Sequence, residues 1–227
     1  MYLSRIQLNP ARRDAQQLLA SPHALHAAVQ AAFPDPAPRP EGRVLWRLDV
    51  AQHATHVYIV SPTRPDSTHI AEQAGWPSLD DTQLVRPYSP LLSRIEKGQR
   101  YAFRLTANPT HTTRSVEGER GKVFGHVTVA QQERWLLDRQ EHAGFLVDML
   151  AAPHAERSEE TEVARALVIK DRRTLSFSRR ETRVTLRIAT YEGSLQVIDR
   201  DAFVSALCHG IGRAKGYGCG LMTIAPA

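Results

Sequence analysis

The chain has 227 residues, 42% hydrophobic and 23% charged, with a formal net charge of +5, the profile of an ordinary globular protein with room for one large domain or two small ones. No apolar run approaches the length of a membrane-spanning helix, and "MYLSRIQLNP" lacks the apolar core of a secretion signal. Two cysteines, Cys208 and Cys219, supply neither a disulfide framework nor a zinc knuckle and fit a reducing cytoplasm.

In chain order, "YLSRIQL" predicts a first strand and "SPHALHAAVQAAF" a helix. Ser21 is a good N-cap, Pro22 suits the first helical position, and Leu25, Val29 and Phe33 recur on one face as the buried stripe. The Pro-rich "PDPAPRPEG" ends that helix. "VLWRLDV" and "HVYIV" follow as strands, "STHIAEQAG" as a short helix and "TQLVRP" as a strand, giving βαββαβ. A second half starts near Arg94 with the strand "QRYAFRLTANP"; the polar, Gly-containing stretch 110–126 is expected to be mobile. "TVAQQERWLLDRQEHAG" predicts an amphipathic helix, "FLVDML" a strand and "APHAERSEE" a loop. "EVARALVIK", "TLSFS", "RVTLRIAT" and "LQVI" read as strand segments, "DRDAFVSALCHG" as a helix capped by Asp199 or Asp201, and "LMTIA" as a last strand. This is again βαββαβ, with an elaborated middle. The expected fold is therefore α+β: two tandem ferredoxin-like (RRM-like) domains over residues 1–93 and 94–227, with a basic β-hairpin and a C-terminal glycine-rich loop.

Charge is concentrated in residues 170–187, "KDRRTLSFSRRETRVTLR". Lys170, Arg172, Arg173, Arg179, Arg180, Arg183 and Arg187 outnumber Asp171 and Glu181 by five, the whole net charge of the protein. Leu175 and Phe177 alternate with polar residues, as do Val184, Leu186 and Ile188, so the segment predicts a hairpin whose tip and one face are cationic. Such a ribbon can enter a nucleic-acid groove and contact phosphates; a solvated edge strand blunted by charge is the plainer alternative.

The loop "GIGRAKGYGCG" holds five glycines, Gly210, Gly212, Gly216, Gly218 and Gly220, with Arg213 and Lys215 among them. Its spacing matches neither a Walker A loop nor a dinucleotide fingerprint, and only seven residues follow Gly220. No nucleotide cofactor is expected. A backbone anion nest fits the pattern; a helix C-cap running into a tight turn would need only one glycine.

His23 and His26 lie at i and i+3 in the first turns of the Ser21-capped helix, off its buried stripe. The pair suits proton transfer near neutral pH. Two surface histidines, or a metal pair lacking its other ligands, are the alternatives, and no metal site is expected.

Together "MYLSRIQLNP", "SPHALHAAVQAAFP", "LWRLD", "YAFRLTANPT", "QQERWLLDR" and "GIGRAKGYGCGLMTIAP" resemble the CasE family, the CRISPR repeat-RNA processing endoribonucleases of Cascade-type systems. The resemblance implies tandem ferredoxin-like domains, metal-independent cleavage of a repeat-RNA hairpin by 2′-OH attack, and a product that stays bound and enters the interference complex. It places the catalytic histidine at His26, the RNA clamp on the five glycines with Lys215, and the groove-binding hairpin around Arg179 and Arg180. The chain departs from the family pattern at His23, where a tyrosine is common, and at Ala27, where a basic residue is common. Arg183 is the nearest match to a hairpin lysine. A non-catalytic RNA hairpin-binding module of RRM-like fold is the rival from another class; "YAFRLTANP" lacks the aromatic motif of such sheets.

Overall fold

The computed structural model describes residues 1–35, 39–113, 123–150, 164–179 and 182–227. Its first part runs β1 (Tyr2–Leu8), α1 (Arg13–Ala20), α2 (Pro22–Gln30), β2 (Leu45–Val50), β3 (Thr55–Ser61), α3 (Thr68–Ala74) and β4 (Gln83–Pro87). The strands form an antiparallel sheet in the order β2-β3-β1-β4. Strand periodicity sends Ile6, Leu8, Val57 and Ile59 into one core with Leu25 and Val29 of α2 and Ile70 of α3. Ser21 caps α2 as expected, its hydroxyl accepting from the Ala24 N–H at 3.3 Å, and Leu25, Val29 and Phe33 are all buried. Helix α1 is absent from the sequence reading: Arg12 offers no side-chain cap, and Ala15 is its single buried residue.

A short helix α4 (Ser89–Ser93) leads into β5 (Arg100–Ala107), β6 (Thr110–Thr112), β7 (Val123–Gly125), α5 (Val129–Gln140), β8 (Phe145–Val147), β9 (Leu167–Arg179), β10 (Thr182–Val197), α6 (Arg200–His209) and β11 (Met222–Pro226). The second sheet has the order β11-β5-β10-β8, with β9 also on β10, the same winding as the first. Asp199 caps α6, accepting from the Ala202 N–H at 3.0 Å. The expected strand fragments merge into two long strands, β9 and β10. From Ala189 onward β10 pairs with β5 inside the sheet, while Thr182–Ile188 pairs with β9 and runs out as a ribbon. Where ribbon meets sheet, the register shifts between Ile188 and Thr190, and Asp171 adopts φ 51°, a bulge residue in the left-handed region that Asp tolerates. In the stretch expected to be mobile, β6 and β7 pair as a small ribbon; residues 114–122 lie outside the described residues, as do the expected loop around 152–160 and the hairpin tip at Arg180 and Glu181.

The two sheets are joined by a charged clasp. Arg47 of β2 is only 2% exposed. Its guanidinium donates to the carbonyls of Arg104 (2.8 Å) and Leu221 (3.2 Å), to the Thr223 hydroxyl (2.9 Å), and in two places to Asp49 (2.7 and 2.9 Å). Asp49 also accepts from Arg104 at 3.1 Å, and Arg104 pairs with Glu192, which pairs with Lys170 at 2.6 Å. Burial alone would raise the Asp49 carboxyl; Arg47 and Arg104 more than offset it and hold the group below the ordinary carboxylate range. A buried arginine needs its donors satisfied, and these acceptors fix β2 against β5 and against the start of β11, immediately after the glycine loop.

Candidate functional site

In α2 the buried stripe runs through Leu25 and Val29, and a step of about 100° per residue carries His26 off it. There the half-buried His26 meets the glycine loop: a Cβ on Gly216 would stand 3.6 Å from its ring, and the Tyr217 ring centroid lies 6.5 Å away, tilted by 60°. Tyr217 in turn meets Phe177 of β9 edge-on at 4.8 Å. Three segments distant in sequence (α2, the loop and the ribbon) are thus linked in a row through His26, Tyr217 and Phe177. His23, one turn earlier, is exposed.

The loop is closed at its neck by the Ile211 N–H on the Gly220 carbonyl at 2.9 Å, and its centre is a 3₁₀ turn, Lys215–Tyr217. Gly212 and Gly218 have φ of 81° and 80°, and a Cβ on either would fall 2.7 Å from the ring of Trp135 or Trp46. Backbone conformation and close packing therefore require glycine at these positions, whatever the loop binds. Gly216 differs: a side chain there meets only His26, at ordinary contact distance. Lys215 is folded inward, its ammonium donating to the Gly212 carbonyl at 2.7 Å, with its basicity lowered by burial and by the nearby Arg43. Arg213 is exposed on the other side of the loop, lining a cavity with Trp135 and Arg139. The loop expected as one cationic nest has two sides.

The ribbon divides in the same way. Arg173, Leu175 and Phe177 share a face with Ile188, Leu186 and Val184 across the register, and the apolar members pack on Ala214, Tyr217 and Cys219 of the loop. Arg173 lines a cleft of about 260 Å³ with Leu18 of α1, Pro22 and Leu25 of α2, and Tyr217. Arg183 and Arg187 belong to the opposite face, where Arg183 donates to the Ser176 hydroxyl at 2.7 Å. Arg172 is tied to the Gln132 side chain (2.8 Å) and the Val127 carbonyl (2.6 Å). Arg179 ends β9 opposite Thr182, and Arg180 lies outside the described residues. The structure thus brings His26, Gly216 and Tyr217 together, sets Arg173 on the same side, and turns Arg183 and Arg187 away. The sequence reading has no role for Tyr217 and treats Phe177 only as an apolar residue of the hairpin; the shared parity of residues 173, 175 and 177 sets Arg173 apart from Arg183. Among the described residues no group of three or more His, Cys, Asp or Glu side chains is placed to hold a metal ion, and no helix is long and apolar enough to cross a membrane.

Fold and site together define a tandem ferredoxin-like protein in which a histidine-bearing helix lies beneath a glycine loop and a basic ribbon. The chain belongs to the family described as CRISPR associated protein, whose model matches residues 1–226. It is 29% identical over 229 residues to the CRISPR-associated endoribonuclease Cse3 of Thermus thermophilus, with all of both chains covered. A solved structure of the CRISPR endoribonuclease Cse3 bound to a 19-nucleotide RNA matches with a TM-score of 0.73 and 28% identity, covering 99% of this chain and 98% of that one. The fold is also that of the CRISPR-associated protein Cas6e from Escherichia coli (TM-score 0.64, 21% identity, all of both chains covered). The resemblance to the CasE family read from the motifs is borne out, and so is the α+β tandem fold.

Proposed function

We propose that this chain is an endoribonuclease that cuts CRISPR precursor RNA at repeat hairpins by attack of a ribose 2′-OH, without a metal ion, in the cytoplasm. Its crRNA product stays bound and enters a Cascade-type complex. Residues 1–93 supply the catalytic helix, and residues 94–227 the RNA-binding hairpin and loop. The observation that carries this reading is the half-buried His26, held by α2 against Gly216 and Tyr217 at the edge of a basic ribbon. Full-length similarity to a protein named as an endoribonuclease supports it.

In the proposed reaction the 2′-oxygen upstream of the cut adds to phosphorus, and the bond from phosphorus to the 5′-oxygen breaks. The 2′-OH proton leaves to a base and the departing oxygen takes one from an acid, leaving a 2′,3′-cyclic phosphate and a 5′-OH. His26 performs one of these transfers, and the exposed His23 is the candidate for the other. Arg173 and the N–H groups of Lys215 and Gly216 stabilise the charge that develops on phosphorus; the Tyr217 N–H is taken by the Ala214 carbonyl at 2.8 Å. Arg183, Arg187 and the ribbon end at Arg179 and Arg180 hold stem phosphates, which position the RNA without reading its sequence.

The test uses labelled repeat RNA carrying a single deoxyribose at the nucleotide upstream of the cut, in EDTA. Wild-type protein is expected to cut the all-ribose RNA in chelator and to leave the deoxy-substituted RNA intact. Cleavage of the deoxy substrate, or a requirement for a divalent ion, would overturn the mechanism. A sulfur leaving group at the 5′ position separates the roles of His26: it restores cleavage by His26→Ala if His26 is the acid, and not if it is the base.

A further inference from the structure

Beside the outer face of the β9–β10 ribbon, the small β6–β7 ribbon presents a row of flat rings. His111 and Phe124 are register partners and stack with centroids 5.9 Å apart and planes 27° apart. His126 continues the row, 4.8 Å from His111. Phe124 is 47% exposed, although an aromatic side chain gains most from burial.

Cations border these rings. His111 and His126 share a cavity of about 360 Å³ with Arg139 and Arg213, and the far side of His126 opens on a second of about 290 Å³ lined by Arg172 and Arg187. The side chain of Arg187 packs on Gly125 of β7, so the row is continuous with the outer face of the basic ribbon. Arg139 stacks over Trp135 at 4.5 Å, which holds its guanidinium in place. The acidic residue lining the larger cavity, Asp138, is paired with Arg134 at 2.7 Å, and with Arg139 and Arg213 beside it the lining stays cationic.

Exposed rings beside arginines suit a ligand that offers flat bases and phosphates at once. A duplex stem hides its base faces in the stack; a single strand offers them. Resting on the endoribonuclease reading above, we propose that the β6–β7 ribbon binds the single-stranded RNA that flanks the repeat hairpin, with bases stacked on Phe124 and His111 and phosphates on Arg139 and Arg213.

The test measures affinity by fluorescence anisotropy for the hairpin alone, the hairpin with a single-stranded extension on the 5′ side, the hairpin with one on the 3′ side, and an unstructured oligonucleotide. With wild-type protein, an extension on one side is expected to tighten binding by roughly five-fold or more. The double variant His111→Ala, Phe124→Ala should lose that gain while binding and cutting the bare hairpin like wild type, and Phe124→Trp should keep it. No gain from either extension, or a gain that survives in the double variant, overturns the proposal and leaves a protein partner as the reason for the exposed rings. If wild type neither binds nor cuts the hairpin, the endoribonuclease reading fails by itself. The unstructured oligonucleotide then decides the ribbon's role: Phe124-dependent binding keeps it, and binding indifferent to Phe124 rejects it.

Discussion

On its inner face the β9–β10 ribbon sets Leu175, Phe177, Val184 and Leu186 against the glycine loop, with Arg173 at the edge of a cleft shared with α1 and α2. On its outer face Arg183 and Arg187 stand among Thr174, Ser176 and Thr185. Composition treats these arginines as one patch, whereas the strand register sets Arg173 and the Arg183/Arg187 pair on alternate faces of the ribbon. The inner arginine sits where charge on a reacting phosphate can be met; the outer ones sit where a long backbone can be held. Under the proposed mechanism, cutting and holding fall on opposite faces of one element, and each is expected to be disturbed without the other.

The largest effect is expected from the clasp that seats the inner face. Asp49→Ala leaves the buried Arg47 without its carboxylate and should cost about 3–5 kcal/mol in urea unfolding at pH 7. Because Asp49 is held below its ordinary value when folded, its contribution is complete above pH about 4 and is lost as pH falls through the lower folded value. The gap between wild type and variant should therefore narrow on acidification. A gap below about 1 kcal/mol at pH 7 would mean that the clasp does not bear on stability.

Next comes the loop itself. Gly218→Ala places a Cβ 2.7 Å from the Trp46 ring at φ 80° and should destabilise by about 2–3 kcal/mol, read from thermal unfolding. An unchanged midpoint would show that the loop yields more readily than its packing implies. A smaller effect, confined to binding, is expected from Arg183→Ala with Arg187→Ala. The salt dependence of RNA affinity should fall by about one phosphate contact per arginine, and an unchanged slope would return the outer face to the role of a blunted edge. Smallest is Gly216→Ala, whose Cβ meets His26 at 3.6 Å. Stability should stay within about 1 kcal/mol of wild type, with any loss appearing in cleavage rate. Unfolding comparable to Gly218→Ala would contradict the distinction drawn between these two glycines.

Much of the fold was legible because local signals agree with it. Ser21 and Asp199 sit where helices begin, and apolar alternation in 175–188 runs with the strand period. Helix α1 escaped because it starts without a side-chain cap and buries little. The site was legible only in part. His26 stands out by its place off the Leu25 stripe, but its neighbour Tyr217, and Phe177 behind Tyr217, come from segments about 190 and 150 residues away, and no local period encodes that meeting. The loop's richness in glycine reads as a ligand cradle, yet Trp135 and Trp46 account for two of the five. Arg47 reads as an outward residue on an alternating strand; its spacing of two from Asp49 was the available hint of the clasp.

The division between cutting and holding is tested most directly by single-turnover cleavage of labelled repeat RNA at saturating protein in EDTA. His26→Ala is compared with the Arg183→Ala, Arg187→Ala double variant, and bound RNA is measured in the same tubes. The expected result is a rate lowered by about 10²–10⁴ for His26→Ala with RNA still bound, and a near wild-type rate for the double variant once saturated. A His26→Ala protein that cuts within a few-fold of wild type, or a saturated double variant that has lost cleavage, would contradict it.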